Sequence, residues 1–292
     1  MKVGIIGGSG LYNLKELDKV KNIQNDTPLG KPSSDFLTGE VHDIPLVFIP
    51  RHGIGHVLLP TEIPFRANIW GLKKLGVTHL ISVGAVGSLK EEIIPGHIVF
   101  PDQFIDLTRH RTSTFFGNGV VAHVQFGDPV CPKLCEKLVK AAQVVGATIH
   151  LGGTYICMEG PAFSSRAESL LYRSWGADVI GMTNAQEAKL AREAEMAFAS
   201  IALATDYDCW HPDHDAVTVE QVSKIMAQNT LVAKEIIDEF AIKFPQHREA
   251  CSSGADTALD GAIMSSLQSL ATEELEKFTA IAGRLLNEQE GK

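Results

Sequence analysis

The chain has 292 residues, of which 45% are hydrophobic, and a formal net charge of −9 at pH 7. This length allows one large α/β domain or two ordinary ones, and the apolar content is enough for a sizeable core. The acidic balance, without any long basic run, excludes general affinity for nucleic acid or anionic lipid, so an anionic substrate must be bound by local groups.

Cysteine and histidine spacing gives no sign of a metal site. The eleven histidines contain no HExxH pattern, so a metal site is not predicted. No signal-peptide pattern and no apolar stretch of roughly 18 residues is found, so we expect a cytoplasmic protein without a membrane span. Scattered spacing without CxxC pairs predicts buried free thiols at Cys131, Cys135, Cys157, Cys209 and Cys251.

Short apolar runs alternate with helical patterns over most of the chain. Strands are predicted at residues 3–6, 46–49, 79–83, 97–100, 153–157, 179–182 and 198–205. Helices are predicted at residues 64–75, 132–145, 165–175 and 186–195. Continuous apolar strands suit a sheet that is covered on both faces. The pattern therefore predicts a three-layer α/β sandwich.

Beyond residue 217 the pattern is helical. A long helix is predicted at 218–240, followed by a polar break at 245–255 and two further helices at 259–271 and 273–286. The break is more typical of a loop than of a linker, so we expect one domain, 1–292, in which 246–292 is a helical extension. Either core packing or a subunit contact explains an apolar face formed by Leu270, Leu275, Phe278, Ile281, Ala282 and Leu285.

Glycine-rich segments follow the first three predicted strands. The first, at 7–10, could bring backbone N–H groups to a phosphate or be a purely structural turn; the third glycine of a dinucleotide fingerprint is missing. The second, at 50–56, places Arg51 beside His52, which suits an anion unless the loop is simply exposed. The third, at 84–88, is predicted as a turn whose backbone supplies further donors.

Two aspartates stand at the end of the last predicted strand. Asp206 and Asp208 are two residues apart, so strand geometry would point both side chains to one side. Two close carboxyl groups in a partly dry pocket do not both ionise easily, so one should hold a proton near neutral pH. The alternative is a pair of exposed acids at a strand end.

Three longer motifs point to a family: EGPAFSSRAES at 159–169, WGADVIGMT at 175–183 and ATDYDCW at 204–210. Together with the three glycine-rich segments, they resemble the purine nucleoside phosphorylase and methylthioadenosine phosphorylase family of trimeric enzymes. The likeness extends from Val3 to about Val219. It implies a central mixed, largely parallel sheet, a homotrimer or a dimer of trimers, and inorganic phosphate as co-substrate with no cofactor.

The resemblance also assigns roles to residues. It implies that phosphate is bound by Ser9, Arg51, His52, the backbone of Ala85, and Thr183. Phosphate would attack the sugar through an oxocarbenium-like transition state, with His52 and Asp206 as catalytic residues. Phe163 and Met182 would pack against the purine and ribose, and a protonated Asp206 would donate to purine N7.

The implied substrate is 5'-methylthioadenosine, cleaved to adenine and 5-methylthioribose 1-phosphate in purine and methionine salvage. Asp208 would accept from the 6-amino group, whereas relatives resembling 6-oxopurine enzymes carry asparagine in this motif. A thioether needs an apolar 5' pocket, because a site that hydrogen-bonds a 5'-hydroxyl would reject it. The resemblance places Ser164, Val219 and a neighbouring subunit's His123 near that pocket.

Two departures from the family pattern bear on function. Gly84 stands where relatives often have Thr or Asn, which removes a side-chain donor from phosphate. Residues 184–187 read Asn-Ala-Gln-Glu where Thr-Val-Pro-Glu is common. Three alternatives stay open: a hydrolase that uses water, a broader adenosine or purine nucleoside phosphorylase, and a purine-binding protein without catalysis.

Overall fold

A computed structural model describes residues 1–12, 17–24, 26–212, 219–245, 247–265 and 272–290. The strands are Lys2–Gly7 (β1), Asp18–Ile23 (β2), Phe36–Val41 (β3), Ile44–Pro50 (β4), Val77–Ser88 (β5), Ile98–Phe100 (β6), Gln103–Asp106 (β7), Ile149–Leu151 (β8), Thr154–Cys157 (β9), Val179–Gly181 (β10) and Ala197–Asp206 (β11). The α-helices are Phe65–Lys74 (α1), Pro132–Val144 (α2), Arg166–Ser174 (α3), Asn184–Glu193 (α4), Val219–Ile242 (α5) and Thr272–Glu290 (α6). Short 3-10 helices span Ser9–Tyr12 and Ala255–Thr257.

The strands form one mixed sheet. Its main order is β2-β3-β4-β1-β5-β10-β9-β7, while β11 joins β5 to β6 and β6 joins β8. Strand β1 runs parallel to β4 and β5, β5 to β11, β9 to β7 and β10, and β6 to β8. The antiparallel pairs are β2–β3, β3–β4, β5–β10 and β6–β11. The predicted mixed, largely parallel sheet is confirmed.

The helices cover this sheet in two groups. Helix α2 packs on α5, and both contact β11; α1 packs on α4 and α6, and α4 also contacts β11. Because β11 is apolar along almost its whole length, it can be buried on both faces. The three-layer α/β sandwich is therefore confirmed. Within the described ranges, no helix is both long and apolar enough to cross a bilayer.

Two predictions about local structure are wrong. Residues 84–88 are not a turn, because β5 continues to Ser88: Gly84 to Val86 pair with β11, and Gly87 and Ser88 pair with β10. The predicted helix at 259–271 is also wrong over its described part, where turns lead to a bridge between Ala122 and Ile263. Residues 266–271 lie outside the described ranges.

The final helix, α6, belongs largely to the core. Phe278 is 0% exposed, and its ring stacks on Phe116 at a centroid distance of 5.5 Å. The Trp70 indole N–H donates to the Lys277 carbonyl over 3.0 Å, which ties α6 to α1. Core packing thus explains the buried part of the predicted apolar face, including Ile281. Leu270 lies outside the described residues.

Candidate active site

A gap in the sheet lies between the ends of β1 and β10. Both strands pair with the same edge of β5, β1 as far as Ser82 and β10 only at Gly87 and Ser88. Because β10 runs antiparallel to β5, the carboxyl ends of β1 and β10 point towards each other across this gap. No strand in the described part of the chain pairs with that edge at 83–86. Exposed backbone groups beside converging strand ends are a common setting for ligands.

Arg51 lies at this gap. It follows β4, and its backbone N–H donates to the carbonyl of Gly7 over 3.0 Å, so the first two glycine-rich segments are adjacent. The guanidinium Nη1 donates to the Val83 carbonyl, also over 3.0 Å. A side chain at Gly84 would place its Cβ 3.4 Å from the same nitrogen. The second and third predicted segments therefore meet around the Arg51 guanidinium.

The Arg51 side chain is held by a buried acid. Its Nε and Nη2 donate to the two Glu187 carboxylate oxygens over 2.5 and 2.9 Å. The Ser82 hydroxyl accepts from Nη2 and donates to Glu187 over 2.7 and 2.5 Å. Burial disfavours the charged guanidinium, but Glu187 holds the pKa of Arg51 above its usual value. Arg51 is thus rigid and charge-balanced, so neutral donors must help to bind an anion.

The other predicted phosphate residues lie on segments that border the gap. Ala85 is on the unpaired edge of β5. Thr183 is buried at the N-cap of α4, directly after β10, and its side chain does not cap the helix. Ser9 opens the 3-10 helix after β1, with its side chain outside the described part. The fold therefore brings these three positions to one place.

His52 is not a cation at neutral pH. Its Nδ1 is 2.8 Å from the Leu58 carbonyl, which can only accept, so Nδ1 carries the proton. The pKa of His52 is lowered to about 4, mainly by burial and to a smaller extent by the charges of Arg51 and Arg111, while the bond to Leu58 opposes the shift. The neutral ring stacks on His56 at 4.1 Å. His52 can therefore present Nε2 as a hydrogen-bond acceptor, but it adds no charge of its own.

The aspartate pair is formed by a turn, not by strand alternation. Asp206 ends β11, whereas Asp208 has a left-handed φ of 49°, so the predicted geometric reason is wrong. The Asp208 backbone N–H donates to Asp206 Oδ1 over 2.8 Å. Both residues lie against Gly87, where an added Cβ would be 2.8 Å from Asp206 Oδ1 and 3.3 Å from Asp208 Cβ. Gly87 thus leaves the space that the pair occupies.

Both carboxyl groups hold protons more readily than exposed aspartates. Burial raises the pKa of Asp206 to about 6; the Thr205 hydroxyl, at 2.7 Å, and the Asp208 backbone N–H oppose this shift, and the Asp208 charge adds least to it. The direction agrees with the prediction, but burial is the main cause. Burial also raises the pKa of Asp208, although the nearby hydroxyls of Ser169 and Ser164 favour its charged form. Its Oδ2 is buried and makes no hydrogen bond of good geometry in the described part of the chain. Such an atom calls for a donor, which an ordered water or a ligand can supply.

The loop between β9 and α3 forms the next wall. The Met182 side chain packs against Gly160, where a Cβ would be 2.6 Å from the Met182 sulfur. Ser164 is buried, and its carbonyl accepts from the Cys209 thiol over 3.2 Å, which joins the loop to the aspartate turn. Phe163 is 46% exposed at the outer side of this loop. Met182 and Ser164 are thus brought near the aspartates.

Part of the EGPAFSSRAES motif has a structural role. Ser165 is the N-cap of α3, and it forms a reciprocal capping box with Glu168. Two backbone donors at the start of the helix are satisfied in this way. The motif therefore fixes where the loop ends and α3 begins.

In the described part of the chain, no hydrogen bond or ion pair joins two predicted specificity residues to the aspartates. Val219 opens α5 and is 72% exposed, and residues 213–218 before it lie outside the described ranges. His123 is exposed, and its backbone N–H donates to the Ala262 carbonyl. The role expected of His123 needs a second subunit.

Sequence reasoning missed the residues that hold the site in place. Glu187 and Ser82 fix Arg51, and Arg111 pairs with Glu159 over 3.0 Å. Ser82 carried a usable signal, because a polar residue inside an apolar strand is expected to be hydrogen-bonded. Arg111 carried none, since its partners are far away along the chain.

Comparisons with known proteins agree with this geometry. A sequence model described as the phosphorylase superfamily matches residues 2–241. The S-methyl-5'-thioadenosine phosphorylase of Geobacter sulfurreducens is 57% identical, with 96% of this chain and 98% of that protein covered.

Solved structures are similar as well. A crystal structure of a methylthioadenosine phosphorylase from an Antarctic soil metagenomic library has a TM-score of 0.91 and 43% identity, covering 96% of this chain and 98% of the other. Methylthioadenosine phosphorylase from Schistosoma mansoni in complex with adenine has a TM-score of 0.85 and 36% identity, covering 90% and 99%. The chain therefore belongs to the phosphorylase superfamily, among the S-methyl-5'-thioadenosine phosphorylases.

Proposed function

We propose that the protein cleaves 5'-methylthioadenosine with inorganic phosphate, giving adenine and 5-methylthioribose 1-phosphate. The observation that carries this proposal is the buried aspartate pair beside a sheet gap that holds Arg51. The gap offers donors for an anion, and the pair offers one proton donor and one acceptor for a purine edge. The similarity to named methylthioadenosine phosphorylases supports the same reaction.

In the proposed mechanism, phosphate lies in the gap below the sugar C1'. Arg51, the Ala85 backbone N–H and the hydroxyls of Ser9 and Thr183 bind and orient it. His52 Nε2 accepts a hydrogen bond from a protonated phosphate oxygen. As the C1'–N9 bond breaks, its electron pair passes to the purine, and phosphate forms the new bond to C1'. The protein's main contribution is positioning, together with stabilisation of charge on the leaving base.

Asp206 and Asp208 act on that base. Protonated Asp206 donates to purine N7 as the base leaves, and the unpartnered Asp208 Oδ2 accepts from the 6-amino group. A 6-oxo group would place an acceptor against this buried acceptor. We therefore expect a preference for methylthioadenosine over inosine of about 10⁴-fold in kcat/KM, the range found when a polar contact is lost. Phe163 and Met182 would pack on the purine and ribose.

The 5' pocket belongs to the proposal together with the oligomer. Ser164 and Val219 of one subunit, together with His123 of a neighbouring subunit, would surround the methylthio group in a homotrimer. Light scattering should give about three times the 31.6 kDa chain mass, or six times for a dimer of trimers. His123→Ala should then raise the KM for methylthioadenosine. A fully active monomer would overturn this part of the proposal.

The proposal includes no cofactor, and it places the enzyme in the cytoplasm, in purine and methionine salvage. All five cysteines are free thiols, which suits a reducing compartment, although Cys135 and Cys209 are only partly buried where burial was predicted. Prolonged dialysis against a metal chelator should leave the rate of adenine release unchanged. Loss of activity that a divalent metal restores would contradict the absence of a cofactor.

Product analysis separates the proposed reaction from its alternatives. Phosphorus NMR of a reaction mixture should show a new sugar phosphate that accumulates in step with adenine. A hydrolase would release adenine and leave phosphate unchanged. A broader adenosine phosphorylase would turn over adenosine as fast as methylthioadenosine, and a purine-binding protein would bind adenine without turnover.

A further inference from the structure

One buried guanidinium connects three segments around the nucleoside half of the candidate site. The Arg111 side chain is only 1% exposed. Its Nε donates to Glu159 Oε1 over 3.0 Å, and its Nη1 donates to Gln186 Oε1 over 3.0 Å. The same group also donates to the backbone carbonyls of Met182 and Glu159. Arg111 therefore binds the start of the β9–α3 loop, the end of β10 and the first turn of α4.

The acid partner of Arg111 is itself held by the backbone. Glu159 Oε2 accepts from the backbone N–H groups of Arg109 and His110 over 2.5 and 3.1 Å. Burial opposes ionisation, but these bonds and Arg111 hold the pKa of Glu159 below its usual range. Glu159 is thus ionised at neutral pH and anchors Arg111.

Gln186 extends the contact to the end of β7. It is fully buried, and its Nε2 donates to the Thr108 hydroxyl over 2.7 Å and to Asp106 over 3.2 Å. A residue without a side-chain amide, such as proline, could make none of these contacts. Gln186 therefore supports Arg111 through its own side chain.

We propose that Arg111 is a positioning residue for nucleoside binding, supported by Gln186. The inference rests on the proposed function and deepens it. Arg111 fixes the Met182 backbone and the loop that carries Phe163 and Ser164, without itself acting on the reaction. A planar guanidinium can hold several acceptors at fixed angles, which a lysine ammonium cannot. Arg51 is held by a separate set of contacts, so phosphate binding should depend less on Arg111 than nucleoside binding does.

The test compares Arg111→Lys and Arg111→Gln with Arg109→Gln. Arg109 is the matched control, because its side chain is exposed and it contacts Glu159 through its backbone N–H. In both Arg111 variants, kcat/KM for methylthioadenosine should fall by about 10²-fold, the loss expected when reactants are misplaced by about 1 Å. Most of this fall should lie in the nucleoside KM, with the phosphate KM within about twofold of the wild type. Arg109→Gln should match the wild type.

A merely structural role would give a different pattern. Equal rises in both KM values together with a lower Tm, or unchanged kinetics in both Arg111 variants, would overturn the proposal. If the Arg111 variants do not fold, Gln186→Pro gives the decision, because proline is tolerated in the first turn of a helix. It should raise the nucleoside KM several-fold and leave the phosphate KM unchanged, and unchanged values for both would count against the proposal.

Adenine binding separates this proposal from the proposed function. Calorimetry should show that Arg111→Gln binds adenine more weakly than the wild type. If the wild type binds adenine but does not turn over methylthioadenosine, the proposed reaction is wrong. The difference in adenine affinity between Arg111→Gln and the wild type still tests the positioning role. Equal adenine affinity in the two proteins would reject the positioning role, whatever the activity.

Discussion

At the scale of single residues, the aspartate turn shows how burial sets the chemistry of a side chain. Asp206 has a pKa of about 6, above the usual aspartate value, because its carboxyl group is removed from water. It therefore holds its proton below pH 6 and loses it above. A general acid that must be protonated works best at or below that pH.

Asp206→Asn tests this role. In the wild type, kcat/KM for methylthioadenosine should decrease as the pH rises through 6, because the acid form of Asp206 is lost. Asparagine cannot titrate, so the variant should lose this limb of the profile, and its kcat should be lower by about 10²–10⁴-fold. Initial rates between pH 5 and 8 at saturating phosphate measure both effects. The matched variant Asp208→Asn should keep the decrease in kcat/KM through pH 6. The same decrease in Asp206→Asn would contradict the role of Asp206 as the general acid.

Glu187→Gln tests the ion pair that fixes Arg51. The change leaves a buried guanidinium without its counter-ion, which costs about 3–5 kcal/mol of unfolding free energy in comparable buried pairs. The phosphate KM should also rise, since Arg51 loses its fixed orientation. Urea denaturation and phosphate titrations measure the two quantities. The control Glu136→Gln removes one partner of an exposed ion pair, so it should change neither the unfolding free energy nor the phosphate KM. Equal stability of the Glu187 and Glu136 variants would show that the buried ion pair does not stabilise the fold.

At the scale of elements, strand β5 carries two glycines with different surroundings. Gly84 faces the gap, and a Cβ there would be in ordinary contact with Arg51 at 3.4 Å. Gly87 has no such room, because Asp206 Oδ1 and Ile180 Cγ2 would lie 2.8 and 3.2 Å from an added Cβ. We therefore expect a side chain to be tolerated at Gly84 but not at Gly87.

Gly84→Thr should improve phosphate binding, and Gly87→Ala should impair catalysis. The new hydroxyl adds one donor at the gap; a hydrogen bond worth about 0.5–1.5 kcal/mol corresponds to a phosphate KM lower by about two- to tenfold. In Gly87→Ala the displaced aspartate pair should lower kcat with little change in the phosphate KM. Steady-state kinetics at varied phosphate measure both. A higher phosphate KM in Gly84→Thr would contradict the placement of phosphate at this gap.

The strands and helices that carry clear apolar periodicity could be predicted from the sequence, and the rest could not. Strand β2 is exposed along its length, so it carries no apolar alternation and was not predicted. Residues 84–88 contain two glycines, which favour a turn locally, but pairing with β10 and β11 makes them a strand. Tertiary pairing overrides local preference in such segments.

At the scale of the whole molecule, the segment after residue 246 packs into the rest of the chain. Arg284 donates to Glu195 over 2.6 Å, and Arg192 donates to the Ser253 carbonyl over 2.9 Å. Leu259 is fully buried, as is Phe278 in α6. These contacts make the segment part of the same core as the sheet.

Phe278→Ala should destabilise the whole protein. Removal of a buried phenylalanine side chain costs about 3–5 kcal/mol, because its transfer energy is lost and a cavity remains. The loss should appear as a single cooperative shift in a urea unfolding curve. Ile242→Ala, at the exposed end of α5, is the control and should change little. A separate early transition in Phe278→Ala would show that α6 unfolds independently.

The sequence pointed to Arg51 and the aspartate pair because each follows a recognisable strand, whereas Thr183 was indicated only by the family resemblance. It could not reveal what holds them, because Arg51 and Glu187 are 136 residues apart and Arg111 and Gln186 are 75 residues apart. Such pairs depend on the complete fold. The expected role of His123 stays a prediction, because it depends on a second subunit.

The central claim is that the gap beside Arg51 binds phosphate as the nucleophile. The most direct measurement is adenine release from methylthioadenosine by the purified protein, with and without inorganic phosphate. The account predicts release that depends on phosphate and produces one methylthioribose 1-phosphate for each adenine. Equal release without phosphate, with free methylthioribose as the product, would contradict it.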